Sequence, residues 1–199
     1  MLLWRLLVFG LSSAPGVVLI VLALRSQLGP DPGKVLVDGF GQAALVLLLL
    51  SLSMTPMNLL VRWVGWVRVR RQLGLWCFCY ACLHAVAFVV FLLGLEVARL
   101  ATEVAERPYI LLGVLGWLIL AALAATSGRR AVRLLGRRWK PLHRLAYLAA
   151  VLALLHMLWV VRSDAALWAL FLLWALSLAL ARLYKPLGKT AGYSPKKAE

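Results

Sequence analysis

The chain has 199 residues, of which 64% are hydrophobic, and a formal net charge of +15, far from the balance of a water-soluble domain. The charge alone would suggest a nucleic-acid partner. The cations, however, sit in short segments between apolar runs of membrane-spanning length, which excludes nucleic acid and leaves the lipid bilayer as the surrounding medium.

Six apolar runs, at 4–24, 40–60, 73–95, 108–126, 142–161 and 167–184, each approach the roughly 20 residues needed to cross a hydrocarbon core. They predict an all-α integral membrane bundle of six transmembrane helices over 1–184, followed by a basic, flexible tail over 185–199. No cleavable secretory signal is evident, so the first run reads as a retained span. Its Pro15-Gly16 step predicts a kink, with the freed carbonyl satisfied by neighbours or water. Cys77, Cys79 and Cys82 fall together in the third span and read as packing thiols, because a zinc site needs further convergent ligands. Gly113 and Gly116 in the fourth span read as helix-packing contacts. No internal repeat is visible.

Orientation follows from the cations. With the N-terminus inside, 17 of the 22 Lys and Arg fall on inner segments, and six of the seven acids fall outside. Excess Lys and Arg marks the cytoplasmic side, so both termini are expected there. Trp63, Trp66, Trp76 and Trp139 mark the inner interface, and Trp159 and Trp168 the outer one.

The chemistry concentrates in three histidines, His84, His143 and His156, each set in an apolar run. A buried imidazole needs a partner, and its free lone pair can bind a metal. His84 and His156 lie about 11 and 14 residues from the inner starts of spans running the same way, so at about 1.5 Å per residue their depths match to a few ångströms. They can therefore face one another across a haem. Ala81, Ala85 and Ala87, and Ala149, Ala150 and Ala153, would let a macrocycle approach the backbone.

His143 lies at the inner interface among Arg137, Arg138, Lys140 and Arg144, cations suited to haem propionates, a quinone head group or a flavin phosphate. An interfacial, solvated histidine is an equally open reading for it. Thirteen helical residues separate it from His156 by about 20 Å and about 140° of azimuth, so the two do not share a face. No inward carboxylate pair, Ser-His-Asp order or phosphate loop supports catalysis within the chain. These residues describe a non-catalytic cofactor holder that moves electrons. A small membrane transporter and a redox-silent assembly or anchor subunit are the rival readings, and both would be colourless.

The segments RRQLGLWCF (70–78) leading to His84, RPYILLGVLGW (107–117), and GRRWKPLHRLAYL (136–148) leading to His156-Met157-Leu158-Trp159 resemble the MsrQ family, also called YedZ, of the ferric-reductase-like transmembrane group. The similarity runs from about Leu28 to Trp159. The resemblance implies a haem-binding subunit of the bacterial inner membrane, carrying b-type haem (one or two) and associated also with FMN. It implies electrons taken from the quinone pool or a cytosolic flavin reductase. They would pass to MsrP, a periplasmic molybdopterin enzyme that repairs methionine sulfoxide in oxidised proteins. The family's three histidines fall on His84, His143 and His156. Where the family often shows a His-x-Thr-Gly run, this chain has Asp38-Gly39-Phe40-Gly41, so that run supplies no fourth histidine.

Overall fold

The computed structural model describes residues 1–160 and 165–183, and these contain eight α-helices and no strand. The predicted tail 185–199, and the outer-side residues Arg162 and Asp164, lie outside the described residues. The helices are α1 (Leu2–Leu24), α2 (Pro32–Val61), α3 (Gly65–Ala87), α4 (Val97–Glu106), α5 (Pro108–Ala125), α6 (Arg129–Leu135), α7 (Trp139–Val160) and α8 (Ala165–Leu183). Six helical stretches are long and apolar enough to cross a membrane, so this is a multi-pass membrane protein.

Two spans start earlier than hydropathy alone indicates. α2 starts at Pro32 rather than at 40, because Asp31 caps it by accepting from the Lys34 backbone N–H at 3.0 Å and Pro32 sits in the first turn, where it has no N–H to lose. Lys34 and Asp38 pair at 2.6 Å, which lets this charged first turn stay helical. α3 starts at Gly65 rather than at 73, carrying Arg68, Arg70 and Arg71 within the helix. It then passes into one π-helical turn at Phe88–Leu92, closed by the Leu93 N–H donating to the Phe88 carbonyl at 3.1 Å. The acidic segment between the third and fourth spans is helical, α4, and its ends carry the ion pairs Arg99–Glu96 and Arg107–Glu103.

α2 is the axis of the bundle. Over half of its apolar window is buried, against 11–22% for the other spans. Leu36, Phe40, Leu47, Leu48 and Leu52 carry the main core, where they meet Leu73, Cys77 and Tyr80 of α3 and Ala149 and Ala150 of α7. Those two alanines leave the backbone of α7 close to its neighbours, as tight packing between membrane helices requires.

Two prolines interrupt the hydrogen-bond ladders, and beside each a side chain from a neighbouring helix bonds to the main chain. Beside Pro15, the Tyr80 hydroxyl enters the ladder of α1, accepting from the Gly16 N–H and donating to the Ser12 carbonyl, both at 2.8 Å. The contact needs glycine, since a Cβ at position 16 would lie 2.9 Å from that hydroxyl. Pro56 of α2 has no N–H to offer the carbonyl four residues back, at Leu52. Arg182 of α8 donates to that oxygen at 2.7 Å while its guanidinium lies 4.5 Å above the centre of the Tyr147 ring. The Trp174 N–H donates to the Ser53 hydroxyl at 3.1 Å, so two polar contacts from α8 converge on adjacent residues of α2.

Candidate redox site between four helices

α3 and α7 carry His84 and His156 to the same level, where the two rings face each other with centroids 6.1 Å apart and planes at 90°. Each ring is oriented by main chain. His84 Nδ1 lies 2.8 Å from the carbonyl of Val37 on α2, and His156 Nδ1 lies 2.7 Å from the carbonyl of Tyr109 on α5. A carbonyl only accepts, so Nδ1 carries the proton in both rings and Nε2 keeps its lone pair. Fixing one ring nitrogen to set the other as ligand is how metal-binding histidines are held.

Each ring is seated against a glycine one turn beyond its carbonyl. A Cβ at Gly41 would fall 2.9 Å from His84 Nδ1, and one at Gly113 would fall 3.0 Å from His156 Nδ1. The two halves repeat one another. Carbonyl, glycine and histidine occur at 37, 41 and 84 on α2 and α3, and again at 109, 113 and 156 on α5 and α7, with 47 residues between carbonyl and ring in both. The repeat is geometric. The pairs Val37/Tyr109 and Leu36/Pro108 show why it is not visible in the sequence.

These residues fit a metal held between two imidazoles. A bond of about 2 Å on each side, plus about 1 Å from each nitrogen to its ring centre, puts the centroids about 6 Å apart. They also fit a macrocycle with a polar edge. Trp117, one turn from Gly113 on the same face of α5, has a buried indole N–H with no hydrogen-bond partner. Its ring lies 5.9 Å from Phe78 of α3, the helix that bears His84.

His143 is not brought to this pair. Its ring stacks on Trp139 at 4.1 Å, and its Nε2 lies 3.2 Å from the Thr126 hydroxyl. That hydroxyl donates its own hydrogen to the Ala122 carbonyl at 2.6 Å, so it accepts from His143 and leaves the Nδ1 lone pair of His143 free. The Trp139 N–H also donates to the Thr126 carbonyl, at 3.0 Å, tying the end of α5 to the first turn of α7. Sequence reasoning paired His84 with His156 by depth but missed every group that orients them. Main-chain carbonyls have no sequence signature, and Gly113 reads as packing when helix faces are not yet assigned.

A bundle of apolar helices presenting opposed imidazoles defines a membrane redox subunit of the ferric reductase type, and the model of the ferric reductase like transmembrane component matches residues 40–154. The chain is also 44% identical over 174 residues to the protein-methionine-sulfoxide reductase heme-binding subunit MsrQ of Cronobacter sakazakii, covering 87% of this chain and 86% of that one. The chain belongs to the MsrQ family within that transmembrane group.

Proposed function

We propose that the chain is the haem-bearing electron-transfer subunit of a protein-methionine-sulfoxide reductase system in the bacterial inner membrane. The observation that supports this is the opposed pair His84 and His156, with both Nδ1 atoms held by carbonyls and both Nε2 lone pairs left free. A b-type haem bound there supplies reversible one-electron chemistry. The chain's own part is to hold two neutral imidazoles at one depth, to seat them against Gly41 and Gly113, and to surround them with apolar helix.

In this reading the arginine-rich end, with His143, faces the cytoplasm and takes electrons from the quinone pool or a cytosolic flavin reductase. The opposite end, with α4 and the Arg107–Tyr109 junction, faces a periplasmic molybdopterin reductase of the MsrP type. Family membership supports the partner, and Tyr109 supports the exit. Its carbonyl holds His156, its ring lies 6.0 Å from that imidazole, and its hydroxyl lies 3.4 Å from Arg107 at the end of α4. His143, Arg137, Arg138, Lys140 and Arg144 are then the groups available to a second haem or to FMN at the entry side.

The test is spectroscopic. Detergent-purified protein should show a Soret band and an α band that sharpens with dithionite, and pyridine haemochrome should count the haems. His84→Ala and His156→Ala should each abolish or shift that spectrum; if both variants keep wild-type spectrum and haem content, the assignment fails.

A further inference from the structure

Away from the imidazole pair, a groove of about 460 Å³ lies between α1, α2 and α3, closed on one side by Phe171 of α8. It starts between Trp4 and Trp66 at the arginine-rich end and reaches Pro15 of α1 and Gly39 of α2. From Trp4 to Pro15 it follows eleven residues of α1, about 16 Å at 1.5 Å per residue. That is close to half of a hydrocarbon core about 30 Å thick, so the groove has the depth of one leaflet. From Trp66 as far as Val46 its walls are aromatic or aliphatic, and its polar side chains, Ser12 and Gln42, stand at the deep end.

The mouth is built differently. Trp4, Trp63 and Trp66 stand edge-on to one another with centroids 5.1 to 5.5 Å apart, and the Trp4 N–H donates to the Gly65 carbonyl at 3.2 Å. Indole rings gathered in this way belong at the boundary between headgroups and hydrocarbon. Three arginines flank them. Arg5 follows Trp4, and Arg62 precedes Trp63. Arg68 lies one turn before Gln72, whose amide donates to the Arg5 carbonyl at 3.0 Å. All three are exposed, and among the described residues none has a carboxylate partner, because every ion pair lies at the end bearing α4.

We propose that this groove is a binding site for an anionic phospholipid, with one acyl chain in the groove and the phosphate held at the mouth by Arg5, Arg62 and Arg68. Complementarity chooses the occupant. Exposed guanidinium groups without acids attract a phosphate, and a track that is apolar for most of one leaflet's depth takes a hydrocarbon chain. The chain fills the space along α1 between its two polar anchors, Trp4 at one end and the Tyr80 bridge to Ser12 and Gly16 at the other. It thereby packs the N-terminal span against α2. The site stands apart from the electron-transfer reading, and its occupancy is measured without reference to haem.

The experiment is native mass spectrometry of the purified full chain in detergent, titrated with dioleoylphosphatidylglycerol, dioleoylphosphatidylcholine or inorganic phosphate, with the Tm recorded in parallel. One phosphatidylglycerol should bind saturably and raise the Tm, phosphatidylcholine should bind at least about tenfold more weakly, and inorganic phosphate should leave the Tm unchanged. The combined variant Arg5→Gln, Arg62→Gln and Arg68→Gln should lose at least about tenfold in affinity for phosphatidylglycerol. The same change at the exposed Arg129, Arg130 and Arg133 should leave that affinity as it is. Ala43→Phe, which fills the groove, should abolish binding while the circular dichroism stays helical. The two tests of charge leave the groove lining untouched, so they decide the case however Ala43→Phe folds. The proposal is overturned if the two lipids bind equally, which marks solvating lipid only, or if inorganic phosphate displaces the lipid at equal affinity. It is also overturned if the Arg5, Arg62 and Arg68 variant binds like wild type, or if a folded Ala43→Phe chain still does. A chain with no haem spectrum that still selects phosphatidylglycerol would sink the electron-transfer reading and leave this one standing.

Discussion

Two glycines lie directly against the paired imidazole rings. An added methyl would sit 2.9 Å from a histidine nitrogen at Gly41, closer than real contacts come, and 3.0 Å from one at Gly113, tight enough that the ring must shift. Gly41→Ala and Gly113→Ala should therefore each lower haem retention during purification or shift the reduced α band, measured as haem per polypeptide. Gly116→Ala is the control, because its methyl would meet only Leu152 at an ordinary 3.7 Å, and it should bind haem as wild type does. Tyr80 is the other residue with a defined task. Tyr80→Phe leaves the Ser12 carbonyl and Gly16 N–H without the bridging hydroxyl and should cost about 1–3 kcal/mol, read as a lowered Tm in detergent.

At the scale of the helix, the proline in α2 and the arginine in α8 form one device. Pro56 frees the Leu52 carbonyl, and Arg182 supplies the missing donor from the next helix. Arg182→Met should destabilise the bundle by about 1–3 kcal/mol, because a buried carbonyl is left without a donor. In a Pro56→Ala background the helix regains its own N–H, so the same substitution should cost measurably less. Equal costs in the two backgrounds would show that Arg182 acts through packing on Tyr147 instead. The π-turn at Phe88–Leu92 begins four residues after His84 and brings Phe91 onto Gly33, where a Cβ would fall 2.6 Å from that side chain. The end of α3 is thereby locked to the start of α2, the helix whose Val37 carbonyl orients the ring.

For the molecule as a whole, charge divides the two ends. Among the described residues every carboxylate lies at the end bearing α4, while the arginines cluster at the other. Reporter fusions at residue 1 and after residue 199 should both score as cytoplasmic, and a fusion in α4 as periplasmic, as the Lys and Arg distribution requires. That asymmetry and the six spans were legible from composition and run length. So was the pairing of His84 with His156, since depth along parallel helices follows from counting residues. What was not legible depends on azimuth or on main chain: the helical first turns at Pro32 and Gly65, where charge hid the helix, the closure of Pro56 by Arg182 across 126 positions, and the repeated clamp around the imidazoles. That clamp has a practical consequence for mutational mapping. The atoms that orient both imidazoles are the oxygens of Val37 and Tyr109, which every substitution retains, so an alanine scan would not register them. Backbone ester replacement at those two linkages, or variation four residues later at the glycines, is where their contribution becomes measurable.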